Sequence, residues 1–418
     1  MRAPHSFTLG LTTALGLIAG ISMQSLTAKA PPCNCLPCQS PANAQPVSKS
    51  IETGVVGAIA QGSQEGTNSA PMAAGPGNSD RESSTGKAGW ELGMKQAAAA
   101  VKAGKNRDLA SLKEAKSQWE EAIASLSQIP VSTALGKKAT AKIVEYKKHL
   151  ADITYRLEVA QSDFLQPIAQ RSGLSNNVKI TICHLTSRRC RRLRGDEIPR
   201  SAASLMKVPV AVALMQKLTE EKIRFDTPIY LDPRNFTEDA SDLVVGQKYP
   251  IDRIMQEMIA KSSNIATNQL IDYLGWDYIN KALRQRGFQQ MQIKSKVVGD
   301  RIFPADIGTG KNTLTADELT EMMIQIYNRE HLGDEILIHA LEKQYDRALG
   351  FAGLQSAIGN WLGEKTGQTS LVLGTTLAMN LFGETYIITV IDDGAYSEPS
   401  IRNFVGEVAE YIFRNGHL

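Results

Sequence analysis

A serine and a lysine stand three positions apart at the start of an apolar run, in the stretch RSAASLMKVPVAV (200–212). Positions i and i+3 share one face of a helix, so Lys207 is expected beside the hydroxyl of Ser204. A lysine that is kept from full solvation, or lies near a second cation, loses proton affinity and can act as a base toward a hydroxyl. The pair therefore predicts a nucleophilic serine. The structural alternative is a lone lysine that reaches out to water.

Two further polar motifs follow the serine–lysine pair. The stretch KSSNIATNQLIDYLG (261–275) contains an S-x-N triplet before an apolar helical stripe, and GEKTGQTS (363–370) contains a K-T-G triplet before a strand-like run. Taken singly, each triplet has an ordinary explanation as a helix cap or a strand entry. The order S-x-x-K, S-x-N, K-T-G along one chain indicates a common catalytic site instead. These two motifs contribute Ser262, Asn264, Lys365, Thr366 and Gly367.

The three motifs resemble those of the class A serine β-lactamases and the related penicillin-binding proteins. The resemblance covers about residues 172–418, and GQKYPIDRIMQEMIAKSSNIATNQLI (246–271) is similar to the family's segment around S-D-N, with Asn268 at its later asparagine. Ser263 replaces the usual aspartate in the middle of that triplet. The resemblance implies an α+β fold in which an antiparallel sheet lies beside a helical subdomain.

The resemblance, together with the chemistry of the residue types, implies a role for each catalytic side chain. Ser204 is expected to attack a carbonyl and form an acyl-enzyme, while its own N–H and that of Gln368 bind the oxyanion. Lys207 is expected to lower the cost of removing the serine proton. Ser262, between Lys207 and Lys365, is expected to relay a proton to the departing nitrogen.

Four further expectations concern the substrate. Lys365 and Thr366 bind its carboxylate, Asn264 binds its amide side chain, and Gly367 leaves room for it to lie along the strand edge. This chemistry requires no metal and no organic cofactor. The predicted function is an exported serine hydrolase whose partners are β-lactams or peptidoglycan stem peptides.

One loop differs from the class A pattern in the residues that release the acyl group. In that family the loop carries R-x-E-P-x-x-N, whose glutamate and asparagine hold and activate a water molecule. In VVGDRIFPADIG (297–308), Arg301 and Pro304 match this pattern, but Phe303 and Ile307 stand at the glutamate and asparagine positions. A phenyl ring cannot take a proton, and general-base help is worth about 10²–10⁴ in rate. The sequence therefore predicts slow deacylation.

Two alternatives to slow turnover remain open. A shifted loop in which Asp300 or Asp306 supplies the carboxylate would make the protein an efficient class A β-lactamase. In the other alternative, the protein binds penicillins or peptidoglycan without turnover and serves as a receptor. The lifetime of the acyl adduct separates these functions.

Composition divides the 418 residues into four segments. Residues 1–30 are predicted to be a signal peptide or N-terminal anchor and 31–89 a disordered Pro/Gly/Ser-rich linker, since residues 39–89 contain no aromatic side chain. Residues 90–165 are predicted to form a helical hairpin module, and 172–418 the β-lactamase-like domain.

The N-terminal segment has the layout of a secretion signal: Arg2, an apolar stretch from Phe7 to Ser22, and an A-x-A sequence that ends at Ala30. Pro31 would hinder cleavage at that point, so an uncleaved membrane anchor is the alternative. The predicted location is exported, in the periplasm or cell envelope.

Hydrophobic periodicity predicts the regular elements. The helical module is expected to contain two antiparallel helices and a shorter helix from Trp90, and to act as a spacer or to bind a protein partner. In the C-terminal domain, helices are predicted at 204–219, 251–274, 315–328 and 398–414, and strands at 178–184, 371–382 and 384–391.

Cysteines and arginines cluster near the first of these strands. Cys183 and Cys190 flank a turn at Thr186 and Ser187, so a hairpin would place them opposite each other, either as a disulfide or as two free thiols. The arginine run at 188–194 is interpreted as a solvated strand pair, with contact to an anionic polymer as the alternative. The net charge of only +3 gives no argument for a nucleic-acid partner.

Overall fold

The structure is a computed structural model that describes residues 79–418, except residues 356 and 395. The predicted signal peptide or anchor (1–30) and the first part of the predicted linker (31–78) lie outside the described residues. Within residues 79–418, no helix is both long enough and apolar enough to cross a membrane.

Three helices form the N-terminal module: α1 (Ser79–Ala103), α2 (Leu109–Ser127) and α3 (Ala134–Ala160). Buried apolar residues recur along α2 and α3 at the spacing of one helix face, and they share one hydrophobic core with α1. Polar caps define two of the helix starts, because the side chains of Asp108 and Thr133 accept backbone N–H bonds from the first turns of α2 and α3.

The helices α2 and α3 are antiparallel, as the sequence predicts. The rings of Trp119 and Tyr146 lie 4.9 Å apart, centroid to centroid. One turn earlier in α2, Ala115 lies with Ile153 of α3 close to the same backbone site, Gly104, which directly follows α1. An earlier residue of α2 therefore meets a later residue of α3.

The prediction of a short helix that starts at Trp90 is wrong. Helix α1 starts at Ser79, inside the predicted linker. Gly89, which favoured a linker in the sequence, faces α2: a Cβ at this position would lie 3.2 Å from the carbonyl oxygen of Ser125. Glycine here lets the two helices approach closely, so it serves helix packing rather than chain flexibility.

A five-stranded antiparallel sheet forms the centre of the C-terminal domain, in the strand order β2-β1-β7-β6-β5, and β3 and β4 form a separate pair. The bounds are β1 (Lys179–His184), β2 (Cys190–Leu193), β3 (Pro228–Tyr230), β4 (Lys248–Pro250), β5 (Asn360–Gln368), β6 (Leu373–Leu381) and β7 (Glu384–Asp392). Because β1 pairs with β7, the sheet joins the two ends of the domain.

Helices pack on both faces of this sheet, and further helices form a subdomain beside it. They are α4 (Leu165–Arg171), α5 (Lys207–Glu220), α6 (Ile251–Ala260), α7 (Asn264–Leu274), α8 (Trp276–Gln285), α9 (Ala316–Tyr327), α10 (Asp334–Glu342), α11 (Gly350–Gln355) and α12 (Glu398–Asn415), with short 3₁₀ helices at Ala203–Met206 and Pro233–Asn235. Side chains alternate along each strand: on β1, Ile182 joins the core formed with α4 and α12, and Cys183 joins the core of the helical subdomain. The predicted α+β fold class is confirmed.

Helix α4 extends the C-terminal domain toward the N-terminus. Leu165 and Ile168 are buried in the same core as residues of α12. The domain therefore begins before residue 172, the start that the sequence resemblance indicates.

The predicted continuous helix at 251–274 is wrong, because α6 and α7 are separate helices. The chain turns at Ser262, whose φ of 58° lies in the left-handed region that L-residues rarely adopt. Ser263 then caps α7 by accepting the N–H of Ala266 at 3.0 Å. The break places a serine in the turn, which a continuous helix would not do.

The helical module covers the free edge of strand β2. Glu158 of α3 accepts the N–H of Cys190 at 3.0 Å and pairs with the guanidinium of Arg192 at 2.9 Å. The hydroxyl of Ser162 accepts the N–H of Arg192 at 2.7 Å. Two donors of an edge strand that would otherwise face solvent are thus satisfied by the module.

The interpretation of the arginine run as solvated is wrong for its central members. Arg191 is buried and donates to the carbonyl oxygens of Cys190 and Leu418. Arg192 pairs with both Glu158 and Asp317. Both guanidinium groups thus have partners within the fold, which argues against contact with an anionic polymer.

The hairpin β1-β2 brings the two predicted cysteines together. Cys183 and Cys190 are direct partners across the strands, as predicted, and they form a disulfide. The structure thus selects the disulfide from the two alternatives that the sequence left open.

Candidate active site

The serine–lysine pair lies where a 3₁₀ turn enters helix α5. Ser204 belongs to the turn, and Lys207 is the first residue of the helix. The Nζ of Lys207 donates to the Oγ of Ser204 at 3.0 Å. Ala203, directly before the serine, has a φ of 46°, so the turn holds its backbone in the left-handed region. The local fold thus fixes the hydroxyl within proton-transfer distance of the amine.

Lys207 is completely buried, and its ammonium group is surrounded by oxygen atoms. Besides Ser204, it donates to the Oγ of Ser262 at 3.0 Å, to the Oδ1 of Asn264 at 2.8 Å and to the carbonyl oxygen of Ser262. Burial lowers the pKa of Lys207 well below its usual value, and the positive charge of Lys365 lowers it further. Lys207, which stands in an apolar run of the sequence, is thus held by the S-x-N turn.

Ser262 bridges the two lysines of the site. Its Oγ accepts from Lys207 at 3.0 Å and from Lys365 at 3.1 Å. With two donors on its oxygen, the hydroxyl proton is left free to point into the cavity. Burial lowers the pKa of Lys365 to about 7, against an opposing effect of nearby carboxylates. The geometry therefore connects both cations to a single hydroxyl.

Strand β5 carries the K-T-G residues directly against the nucleophile. A Cβ at Gly367 would lie 3.1 Å from the N of Ser204 and 2.9 Å from that of Leu205, so glycine allows this close approach. Gln368, the last residue of β5, lines the space on both sides of Ser204, and its side chain accepts from the hydroxyl of Tyr396 at 2.8 Å. The end of β5 therefore lies against the backbone of Ser204, with Gln368 directly after Gly367.

Asp239 is a site residue that the motifs do not reveal. Its carboxylate accepts the N–H of Asn264 and, at 2.7 Å, the hydroxyl of Ser263. It thus supplies the acceptor missing from the S-x-N triplet, where serine replaces the family's aspartate. Two features of the sequence could have located Asp239: the absence of the family's aspartate at position 263, and the acidic stretch at 238–242 that could replace it.

Asp239 also acts on the catalytic lysine through space. Its negative charge raises the pKa of Lys207 and so opposes the effects of burial and of Lys365. Glu238, its neighbour, accepts an N–H bond from Asn264 on its backbone oxygen at 3.1 Å. The segment before α6 therefore holds Asn264 from two sides.

Two cavities flank Ser204. One, of about 480 Å³, is lined by Thr366 and Gly367 of β5 and by the S-x-N turn, together with Tyr345 and Asp346. The other, of about 600 Å³, extends between the 3₁₀ turn at the nucleophile, the end of β5 and the loop after α8. A substrate that reaches both would place its reacting bond at the serine and a different part in each cavity.

The loop after α8 enters the larger cavity with residues other than those predicted. Val297, Val298 and Asp300 line that cavity. Phe303 lines neither cavity and is 59% exposed, so its predicted place beside the acyl group is wrong. Ile307 is also exposed and lines neither cavity. The alignment with R-x-E-P-x-x-N placed Phe303 and Ile307 at the catalytic positions of that motif, but in the structure neither residue lines a cavity beside Ser204.

Two side chains fix this loop. Asn268 of α7 makes a reciprocal pair of bonds with the backbone of Val297, at 2.9 and 2.8 Å. The buried Lys296 donates to Asn235, to Asp272 and to the carbonyl oxygen of Ala305. The loop backbone is therefore held at both ends by polar groups of the helical subdomain.

Of the two carboxylates considered for deacylation, one lies in the cavity. Asp300 lines the cavity next to Ser204, whereas Asp306 does not and has a side chain that is 82% exposed near Arg234. Within the described part of the chain, no group of three or more His, Cys, Asp or Glu residues could hold a metal ion.

Comparison with known proteins is consistent with this geometry. A model of the Beta-lactamase enzyme family matches residues 162–415, which is more than half of the chain. No curated protein sequence matches the chain significantly.

Several solved structures share the fold. The structure of PBP-A is 22% identical, covers 60% of this chain and 97% of its own, and gives a TM-score of 0.53. A β-lactamase from Sphaerobacter thermophilus DSM 20745 is 19% identical, with 60% and 97% coverage and a TM-score of 0.52. An ancestral class A β-lactamase is 19% identical, with 61% and 99% coverage and a TM-score of 0.51. Since the family model spans most of the C-terminal domain and these structures repeat its architecture, the chain belongs to the Beta-lactamase enzyme family and is a serine hydrolase.

Proposed function

We propose that this protein is an exported serine hydrolase that forms an acyl-enzyme through Ser204 with β-lactams or peptidoglycan stem peptides, and that it releases the acyl group slowly. The observation that carries the proposal is the chain of contacts Ser204–Lys207–Ser262–Lys365, in which each step spans 3.0 or 3.1 Å. Such a chain can take a proton from one oxygen and deliver a proton to another atom a few ångströms away.

Acylation begins with the neutral form of Lys207. Its amine takes the proton from Ser204, whose Oγ then bonds to the substrate carbonyl carbon. The N–H groups of Ser204 and Gln368 stabilise the oxyanion that forms. When the tetrahedral intermediate collapses, the C–N bond breaks and Ser204 keeps the acyl group.

The leaving nitrogen receives its proton from Ser262. The hydroxyl of Ser262 donates this proton and recovers one from the Lys207 ammonium formed in the first step. The positive charge of Lys365 lowers the cost of the transient alkoxide character on Ser262. The two lysines thus act on different halves of the reaction.

Substrate binding is assigned to the edge of β5 and to Asn264. Lys365 and Thr366 bind a carboxylate on the leaving-group side, Gly367 gives the substrate room along the strand, and Asn264 binds an amide of the acyl group. A structure of the L158E mutant of PBP-A, 22% identical to this chain, is an acyl-enzyme complex with penicillin G. This likeness supports penicillins as substrates of the present protein.

Slow release is supported by the residues of the loop that face Ser204. Val297 and Val298 cannot activate water, and the exposed Asp300 is the single carboxylate among the residues that line the larger cavity. General-base help contributes about 10²–10⁴ in rate, so the adduct lifetime is longer by a similar factor where Asp300, which lies exposed at the cavity, does not activate water.

Export is supported by sequence and by the disulfide. The first thirty residues have the layout of a secretion signal or anchor, and Cys183 and Cys190 are paired, which suits an oxidising compartment.

The assignment of Ser204 as nucleophile predicts a single covalent adduct. After a penicillin is added, intact mass spectrometry should show one added antibiotic mass per chain, and peptide mapping should place it on Ser204. Ser204→Ala should abolish this labelling and leave the circular dichroism spectrum unchanged. Labelling that persists on Ser262 or Ser263 would contradict the assignment.

The different roles of the two lysines predict opposite pH limbs. Lys207 must be neutral, so kcat/KM for acylation falls as pH drops through its lowered pKa. Lys365 must be charged to attract a carboxylate, so kcat/KM for a penicillin falls as pH rises through about 7. A penicillin methyl ester, which has no carboxylate, should lack the alkaline limb.

Replacement of Lys365 tests the same division. Lys365→Ala should cost roughly 1.5–3 kcal/mol in kcat/KM for the penicillin, and much less for its methyl ester. Equal losses for the two substrates would show that Lys365 does not act through the carboxylate.

The contacts of Asp239 predict that it positions the S-x-N turn. Asp239→Asn should lower the acylation rate by roughly 10- to 100-fold, because one of the two donors loses a charged acceptor. Removal of its charge should also move the acid limb to lower pH, since Asp239 raises the pKa of Lys207. Asp242→Asn, which removes an exposed charge from the same loop, is the matched control. A lower rate without any shift of the acid limb would indicate general damage to the fold.

The environment of the acyl group predicts a burst followed by slow turnover. With excess penicillin, the product should appear as about one equivalent at once and then at a rate limited by deacylation. Phe303→Glu should leave that rate unchanged, because Phe303 lines neither cavity. Rapid turnover of many equivalents would overturn the proposal, and its loss in Asp300→Asn would identify the base.

A further inference from the structure

The hydroxyl of Thr366 already has a partner for its only proton. The amide of Gln344 donates to Thr366 Oγ1 at 3.2 Å, and Oγ1 donates to the carboxylate of Asp346 at 3.0 Å. An ionised carboxylate only accepts, and a hydroxyl has one proton to give. In this arrangement Thr366 therefore cannot donate to a substrate carboxylate unless its bond to Asp346 breaks.

Asp346 is held in the cavity that receives the leaving-group side of the substrate. It lines that cavity together with Ser204 and Ser262, and its other oxygen accepts the N–H of Ala348 at 3.1 Å. Its negative charge also acts on Lys365, whose pKa it raises against the effect of burial. The positive charge expected to attract a carboxylate is thus partly neutralised before any substrate arrives.

A carboxylate bound at Thr366 would lie close to Asp346. A carboxylate oxygen that accepts from Thr366 lies about 2.7 Å from Oγ1. With Asp346 at 3.0 Å from the same atom, the two negative groups lie within about 6 Å of each other. At effective dielectric constants between 80 and 20, repulsion over that distance weakens binding by about 3- to 100-fold.

We propose that Asp346 sets the leaving-group selectivity of this enzyme: it disfavours acyl donors whose leaving group carries a free carboxylate and favours those whose leaving group ends in a neutral amide or ester. This inference rests on the proposed function, since it concerns the rate at which Ser204 is acylated. Asp346 is then a specificity-determining residue: it repels the leaving-group carboxylate that Lys365 attracts. Among the proposed peptide substrates, those whose leaving-group carboxylate is amidated react faster, and donors that keep the carboxylate, such as penicillins, react at the rate that Lys365 and Asp346 together allow.

The test compares two substrates that differ only in that charge. They are an acyl-D-alanyl ester of D-lactate, which has a carboxylate, and the same ester of D-lactamide, which does not. The ratio of kcat/KM for the amide to that for the carboxylate is measured with the wild-type protein and with Asp346→Asn. The variant should raise kcat/KM for the carboxylate by roughly tenfold and leave the amide unchanged.

Asparagine is a conservative probe at this position. Its amide oxygen can still accept the N–H of Ala348, and its NH₂ group can donate to Thr366, which releases the hydroxyl proton for the substrate. Asp226→Asn is the matched control, because Asp226 is exposed, pairs with Arg224 and lines neither cavity. This control should leave the ratio unchanged.

Each outcome decides between the proposals. If the carboxylate substrate reacts no faster, or more slowly, with Asp346→Asn than with wild type, the inference is wrong and Asp346 acts by keeping Lys365 charged. If the wild-type protein forms no acyl adduct with either ester or with a penicillin, the proposed function fails, and the inference with it. A second measurement uses only the wild-type protein, so it does not depend on folding of the variant. The ratio of kcat/KM for the amide to that for the carboxylate should fall in about 1 M salt, because salt screens the repulsion.

Discussion

The burial of two ammonium groups around one serine hydroxyl is the constraint on which the site depends. Lys207 and Lys365 are both fully buried, and Ser262 Oγ lies 3.0 Å from one and 3.1 Å from the other. Burial and mutual repulsion both favour the neutral forms of the lysines. Keeping both of them charged near neutral pH therefore costs free energy. The same penalty lowers the pKa of Lys207 well below its usual value and that of Lys365 to about 7, which is what the proposed roles of base and carboxylate-binding cation require.

Three elements from distant parts of the sequence are needed to meet that constraint. Helix α5 brings Lys207, the turn between α6 and α7 brings Ser262, and strand β5 brings Lys365. The turn adopts a left-handed conformation at Ser262, and such a conformation persists only where its surroundings fix it. Asp239 does so from outside the turn, because it binds both residues that follow Ser262.

The motifs and the fold class could be predicted from the sequence because each depends on local pattern. Hydrophobic periodicity predicted β1, β6 and β7, and S-x-x-K, S-x-N and K-T-G predicted the central side chains, but β5, which carries K-T-G, was not predicted as a strand. Long-range compensation could not be predicted in this way: Asp239 replaces a carboxylate missing at Ser263, and no spacing rule connects the two positions. The break at Ser262 was missed for a similar reason, since helical periodicity continues across it. The start of α1 was missed because the sequence does not distinguish a glycine at a helix contact, such as Gly89, from a glycine in a linker.

The loop after α8 shows why letters that match a motif need not share its geometry. Polar contacts to Lys296 and Asn268 fix the loop's path, and they direct Val297 rather than Phe303 into the cavity beside Ser204. In the proposed mechanism, acylation depends on Ser204, on side chains of α5 and β5 and on the turn before α7, whereas release depends on the loop after α8. Asp239 holds the turn and Lys296 holds the loop, and these two side chains bind different partners. The proposed slow release therefore requires a change in the loop and none in the contacts that join Ser204, Lys207, Ser262 and Lys365.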